Sequence, residues 1–367
     1  MKQFAYAKII KKRFYKMIKK ISALFLACAF LLNGAGMVFA APETKDIIKQ
    51  TAQLAALLPA SDGVVTVNMQ RILSEALPQI LSSNQPMLNE ILGKLDKVKS
   101  ETGLDLRQFE QIAVGVSASK TSAKDMTFEP VILARGTFNA GALLALAKVA
   151  AKGKYREEKI AGRTAYIFSV KQAVAQSKPK TVNPKSSMFE KAIDKMFKGL
   201  SDELAVTVYD KNTLAIGSIV RVRETFDAKT RIGADVLDSV NRKPNSIMSF
   251  GLKLPNGLSQ FVDMGNDEIG KNLEAIRQIS GAVDVGDGRA VILLAAKTLG
   301  AEQAKSLQET LEGLQMIGKA FLGSSKGADK KVFSRMIDNA KISQSGSEVM
   351  LDLQVPQSDI DILLAGK

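Results

Sequence analysis

The chain has 367 residues, and its 51 Lys and Arg against 37 Asp and Glu give a formal charge of +14. It contains no His, no Trp and a single Cys. This composition excludes Ser–His–Asp and Cys–His nucleophilic catalysis, and zinc sites built from His or from several Cys. Carboxylate pairs, Ser–Lys pairs and oxygen-ligand cation sites remain open.

The first 40 residues predict a secretory signal peptide. They hold eight basic and no acidic residues, an apolar run ISALFLACAFLL, and a small-residue exit with cleavage expected between Ala40 and Ala41. Met17 offers an alternative start of translation. Cleavage removes the only Cys, Cys28, and leaves a charge of +6, which weakens any inference from charge to nucleic acid. We expect an exported protein, periplasmic or extracellular, with no membrane span after cleavage and no nucleic-acid partner.

The first predicted unit covers residues 41–244. A leading helix up to Pro59 precedes a strand at Gly63–Met69, two helical stretches and two strands. A helix capped by Asn139 follows, and then two hairpins that turn at 161–162 and around 211–212.

The second predicted unit, residues 245–367, repeats much of this order. It reads as a strand (SIMSFGLKL), a helix (EIGKNLEAIRQI), a hairpin turning at 287–288, a long helix at 301–322, a hairpin around 345–346 and a terminal helix. The repetition predicts an α+β fold of two tandem related units, each a mostly antiparallel sheet with helices on one face. The turn-rich stretch NRKPNS, residues 241–246, is the expected boundary.

The stretch GNDEIGKN approaches the P-loop pattern G-x-x-x-x-G-K-[ST]. Gly265, Gly270 and Lys271 match, but Asn272 lacks the hydroxyl that binds Mg²⁺, and the acidic residues inside the loop would repel a triphosphate. A helix start is the favoured interpretation, and we expect no cofactor.

Two further patterns favour structural interpretations. Ser117 and Lys120 match S-x-x-K, but they end a predicted strand, and the companion motifs of penicillin-recognising enzymes are missing from the sequence. Asp284 and Asp287 in DVGDG hint at a cation site, but no bidentate Glu follows at the required spacing, so a hairpin turn is favoured. We expect neither a metal site nor catalytic residues.

The charge of the chain is uneven. Residues 152–198 hold 12 basic and four acidic residues, and they end in an amphipathic stretch, SMFEKAIDKMFKGL. One interpretation is contact with an anionic envelope surface or an acidic partner; the other is an ordinary helix with a solvated Lys face. The candidate contact residues are Lys178, Lys180, Lys185, Lys191, Lys195 and Lys198.

Several segments between about residues 57 and 228 share one pattern. LPASDGVVTVNMQRIL, TGLDLRQFEQIAVGVS, ILARGTFNAGALLALA and DKNTLAIGSIVRVRETFD occur in that order. In this the chain resembles a group of exported bacterial proteins of unknown function that share an L-P-A opening before a strand. The resemblance implies export and an α+β fold, and it carries no catalytic residues.

Three classes of function follow from these observations. The first is a non-enzymatic binding or interaction module of the cell envelope, with an envelope protein as its partner. The second is an adaptor that contacts anionic polymer or lipid through residues 152–198. The third is a hydrolase that uses carboxylates or the Ser117–Lys120 pair.

Overall fold

The computed structural model describes residues 53–120, 126–151, 153–169, 203–254, 272, 274–323 and 327–365. Its strands are β1 (Gly63–Asn68), β2 (Phe109–Lys120), β3 (Met126–Gly136), β4 (Tyr155–Ile160), β5 (Arg163–Ser169), β6 (Glu203–Asp210), β7 (Thr213–Gly217), β8 (Met248–Lys253), β9 (Ile276–Gly286), β10 (Arg289–Thr298), β11 (Lys341–Ser345) and β12 (Glu348–Pro356). They form one antiparallel sheet in the order β11-β12-β10-β9-β8-β1-β2-β3-β7-β6-β5-β4. The predicted α+β class is confirmed.

The helices lie between these strands in the chain, except the last one, which follows β12. They are α1 (Met69–Arg71), α2 (Leu77–Ile80), α3 (Gln85–Thr102), α4 (Ala140–Ala150), α5 (Ile219–Glu224), α6 (Ala234–Asn241), α7 (Ala301–Gly323), α8 (Ala328–Asn339) and α9 (Gln357–Ala365). A π-helical turn, Ile72–Ala76, joins α1 to α2, and a 3-10 turn, Leu106–Gln108, precedes β2. Among the described residues, no helix is long and apolar enough to cross a bilayer.

Local signals account for the hairpins and caps. The β4–β5 hairpin turns at Ala161–Gly162 and the β9–β10 hairpin at Asp287–Gly288, and all four residues have positive φ, as a tight hairpin turn requires. The Asn139 side chain accepts a hydrogen bond from the amide of Ala142, which is the predicted cap of α4. These predictions are confirmed.

Other local predictions need correction. The predicted helix EIGKNLEAIRQI is wrong at its end, because β9 begins at Ile276. The β-branched and aliphatic residues that follow pair with β10, and this tertiary pairing overrides the helical pattern. The sequence did not predict α5, α6 or α8. The alternating apolar residues of α5, IVRVRE, resemble a strand.

The two predicted units share the sheet. β1, from residues 41–244, pairs antiparallel with β8, from residues 245–367, with Val65 opposite Phe250. The hydrogen-bonded ladder therefore continues across the expected boundary at residues 241–246, and the two units do not form separate sheets.

The sheet has two faces, which we call face A and face B. Face A carries Val64 and Leu133, and the core of the first half forms there beneath α5, α6 and the buried side chains of Leu54 and Leu58. A side chain at Gly251 would strike Ser239 of α6, its Cβ coming within 2.4 Å, so glycine allows this helix to lie directly on β8.

Face B is covered differently along the sheet. In the first half, α4 packs on Leu214 and Ile216 of β7. Ala215, between them in the strand, belongs to the core on face A, so α4 lies on the opposite face, face B. Helices therefore lie on both faces of the first half, and the expected one-face arrangement was wrong there. In the second half, α7 packs on β10, β12 and β11 through Ala304 and Leu307.

Candidate functional site

The predicted cleavage site and all of the predicted contact residues lie outside the described residues. These are Ala40 and Ala41 at the cleavage site, and the contact residues Lys178, Lys180, Lys185, Lys191, Lys195 and Lys198. Residues 153–169 of the basic segment are described, and they form β4 and β5.

Charged residues in the described part of the basic segment form ion pairs within the chain. Arg156 forms ion pairs with Glu158 at 2.9 Å and with Glu203 at 2.7 Å, and the hydrogen bonds with these carboxylates raise its pKa. Glu158 also pairs with Arg223 of α5 at 3.3 Å. Acidic neighbours therefore offset the positive charges of Arg156 and Arg223.

Asn272, the residue that breaks the P-loop pattern, is buried against α7. Its amide nitrogen donates to the hydroxyl of Thr310 at 2.7 Å, and its oxygen accepts from the hydroxyl of Ser306 at 3.0 Å. The matching residues Gly265, Gly270 and Lys271 lie outside the described residues. Both polar ends of the Asn272 side chain therefore bind α7.

Ser117 lies in β2 opposite Glu129 of β3. The register from position 117 to position 120 is regular, and positions three apart in a strand belong to opposite faces of a sheet. The S-x-x-K pattern therefore does not bring its two positions together on one face.

Asp284 belongs to a polar cluster between the two halves. Its carboxylate forms ion pairs with Arg71 at 2.9 Å and with Lys243 at 3.6 Å. Burial alone would lower the pKa of Arg71, but its hydrogen bond with Glu75 and the charge of Asp284 outweigh that effect and raise it. The carboxylate of Asp284, where the sequence hinted at a cation site, is therefore paired with two basic side chains. Among the residues that the structure describes, no group of three or more metal-binding side chains occurs.

The same polar cluster contacts residues 241–246, the expected boundary between the two predicted units. Arg71 also donates to the backbone oxygen of Asn245, a residue with positive φ, and Asn68 caps α1 by accepting from the amide of Arg71. Within the described part of the chain, the side-chain nitrogen of Asn68, a residue that is 1% exposed, and the side-chain oxygen of Asn245 find no hydrogen-bond partner. A strand followed by Asn and a helical pattern signals this cap in the sequence, but the long-range pairing to Asp284 leaves no local signal.

An apolar strip lies on face B at the end of the sheet where β1 begins. Val116 and Leu252 flank Gly63 on the neighbouring strands, and Phe128 lies opposite Ala118 on β3. Phe128 is 47% exposed and Leu252 36% exposed. The strip comprises Phe128, Leu252 and the half-buried side chains of Val114, Val116, Ile132 and Phe250.

Sequence reasoning missed this surface. In β2, the larger side chains of Ile112, Val114 and Val116 fall on one face, while Ala113 and Gly115 fall on the other. That asymmetry was a usable signal, since it places the small residues beneath the core on face A and leaves the larger ones on face B.

Comparisons with known proteins give a limited result. No family model and no curated protein matches the chain. Among solved structures, "Structure of crystal form IV of TP0453" is similar to 87% of this chain and 98% of that chain, at 9% identity and a TM-score of 0.36. Crystal form III of TP0453 gives 10% identity and a TM-score of 0.34, over 86% and 98% of the two chains.

Proposed function

We propose that the chain is an exported, non-catalytic binding module of the cell envelope, and that the apolar strip is its contact surface. The observation that carries this proposal is the exposure of Phe128 and Leu252 on one sheet face, continuous with half-buried aliphatic neighbours. Scattered exposed apolar residues are ordinary, but a contiguous group on a sheet is typical of an interaction surface.

The chemistry of the strip defines the kind of partner. It offers two aromatic rings and aliphatic side chains from β8, β2 and β3, with Gly63 of β1 between them, and none of its side chains is charged. Apolar, aromatic cores are the parts of protein interfaces that contribute most to affinity. A protein partner that presents its own apolar patch fits this surface.

A matched pair of variants tests the proposal. The expected result is that the double variant Phe128→Ser, Leu252→Ser no longer captures an envelope protein that the unchanged chain retains in high salt. The control Val149→Ser removes a 75% exposed apolar side chain from α4, outside the strip, and should retain the partner. Equal capture by both variants would exclude the strip as the contact surface.

A second candidate is an adaptor to anionic lipid or polymer. It is favoured by the excess of 12 basic over four acidic residues in segment 152–198. Because such binding is electrostatic, it should fall steeply as salt is raised. Binding to vesicles of anionic lipid that disappears at moderate salt, and is unaffected by the Phe128 and Leu252 changes, would favour this candidate.

We also infer that the two halves are related units joined by an approximate two-fold axis at the Val65–Phe250 pair. The support is the strand registers counted outward from that pair. On these registers β2 corresponds to β9, β3 to β10, β7 to β12 and β6 to β11, and the equivalent strands begin or end within two residues of one another. The helices α4 and α7 follow equivalent hairpins. A crystal structure with shifted registers in the second half would contradict this relation.

A further inference from the structure

The two outer strands of the sheet differ in charge. β4, YREEKI, holds four charged residues in succession, and Arg156 is fixed by ion pairs with its neighbours. Charges at a sheet edge prevent a further strand from pairing there. β11, KISQS, has only Lys341 as a charged residue, and its residues alternate between exposed and half-buried. The β11 edge therefore lacks the protection that β4 has.

The equivalent strand in the first half, β6, shows how a further strand can pair at this position. By register, β6 is the strand equivalent to β11, and Thr207 is the equivalent of Ser343. β6 pairs with the antiparallel strand β5, and the hydroxyl of Thr207 donates to the backbone oxygen of Thr164 at 2.9 Å. Within the described part of the chain, no strand occupies the corresponding place beside β11. Ser343 presents a hydroxyl where Thr207 binds its neighbouring strand.

The start of β11 is fixed to α7. Gln315 of α7 donates to the backbone oxygen of Ile337 at 2.6 Å and to that of Ala340, the residue before β11, at 2.8 Å. The position of the β11 edge is therefore set by contacts within the chain.

We propose that β11 pairs antiparallel with β11 of a second copy of this chain, centred on Ser343, so that two sheets of twelve strands join into one. In this register Ser343 faces its own counterpart, Lys341 faces Ser345 and Ile342 faces Gln344, so no like charges meet. The self-complementary strand fits a two-fold interface, in which the same surface is used on both copies. Because β4 is charged, the outer edges of the dimer do not recruit further copies.

Charge variants at the two-fold centre test this proposal in the full chain. Sedimentation over a concentration series should show a monomer–dimer equilibrium for the unchanged chain. Ser343→Lys should weaken the dimer by roughly fivefold or more, since like charges then lie directly opposite each other. Ser343→Glu should do the same, and a mixture of the two variants should restore dimer formation. The control Ser100→Lys, at an exposed site on α3, should dimerise like the unchanged chain.

A cross-linking experiment fixes the register. In a Cys28→Ser background, Ser343→Cys should give a disulfide-linked dimer under mild oxidation, because the two introduced thiols face each other. Ser345→Cys should not, because its counterpart lies opposite Lys341 instead. A chain that stays monomeric at every concentration, a dimer that tolerates Ser343→Lys, or equal cross-linking at both positions would overturn the proposal.

Discussion

The two halves of the sheet bury their large aliphatic side chains to different extents. In the first half, Leu54, Leu58 and Leu133 are fully inaccessible to solvent, and helices cover both faces. In the second half, Ile276 and Leu307 keep 5% and 6% exposure, and α7 leaves Met316 and Ile317 in solvent. Among the described residues, every Leu or Ile with 0% exposure lies in the first half, although the smaller Ala304 and Val332 of the second half also reach 0%. The first half therefore has the more completely sealed core of large side chains.

The largest expected effect is in the sealed core. Leu133→Ala removes a side chain from the centre of face A, where neighbours on both sides resist collapse into the cavity. We expect a loss in the upper part of the roughly 2–5 kcal/mol range for such changes. The matched change Leu307→Ala, beneath α7, should fall in the lower part of that range. Urea unfolding measures both, and equal losses would remove the energetic contrast between the halves.

The next effect concerns the ion pair that joins α8 to α9. Arg335 donates to both carboxylate oxygens of Asp359, whose side chain is only 5% exposed. Arg335→Ala leaves that carboxylate buried without its partner, so the melting temperature should fall clearly. Lys319→Ala breaks the exposed ion pair between Lys319 of α7 and Asp338 of α8, and it should change the melting temperature little. A similar shift for both variants would show that burial of Asp359 does not matter.

A smaller effect is expected at the start of α4. Asn139→Ala removes the side-chain oxygen that accepts from the amide of Ala142, and should cost about 1 kcal/mol. Asn241→Ala, at the exposed end of α6, removes an amide of the same kind without a capping role and is the control. The free energy of unfolding of Asn139→Ala should be lower than that of Asn241→Ala by most of this loss of about 1 kcal/mol. No difference would mean that packing alone sets the helix start.

The smallest effect is pH-dependent. Burial raises the pKa of Glu110 in β2, although the charge of Arg135 opposes the shift. A carboxyl whose pKa is higher in the folded state is destabilising when ionised. Glu110→Gln should therefore stabilise the protein at pH 7, by well under about 1 kcal/mol because the site is partly solvated. The advantage should vanish as the pH falls below the carboxyl's unfolded value, and unfolding at pH 7 and pH 4 tests this. A gain that is the same at both pH values would contradict it.

Features set by neighbouring residues could be predicted from the sequence. The turns at Ala161–Gly162 and Asp287–Gly288 and the cap at Asn139 depend on a few adjacent residues, and the structure confirms them. The apolar spacing of α8, with Val332 buried, is a further local signal of a helix.

Features set by distant residues could not be predicted. The sequence around Val65 or Phe250 does not indicate that these residues pair. Their pairing nevertheless joins the strands of both predicted units into one sheet. The Arg71–Asp284 ion pair likewise joins residues from opposite halves. The apolar strip depends on four strands assembling in register, and therefore on the same long-range pairing.

The central pairing also constrains the order in which the chain can fold. β1 emerges early in synthesis, but its partner β8 follows only after about 180 further residues, which at ordinary rates takes on the order of ten to forty seconds. During that interval β1, with the uncharged sequence GVVTVN, has a partner in β2 on one side only. Such an edge can recruit a strand from another chain. We therefore expect that a chain that stops before β8 aggregates through this edge.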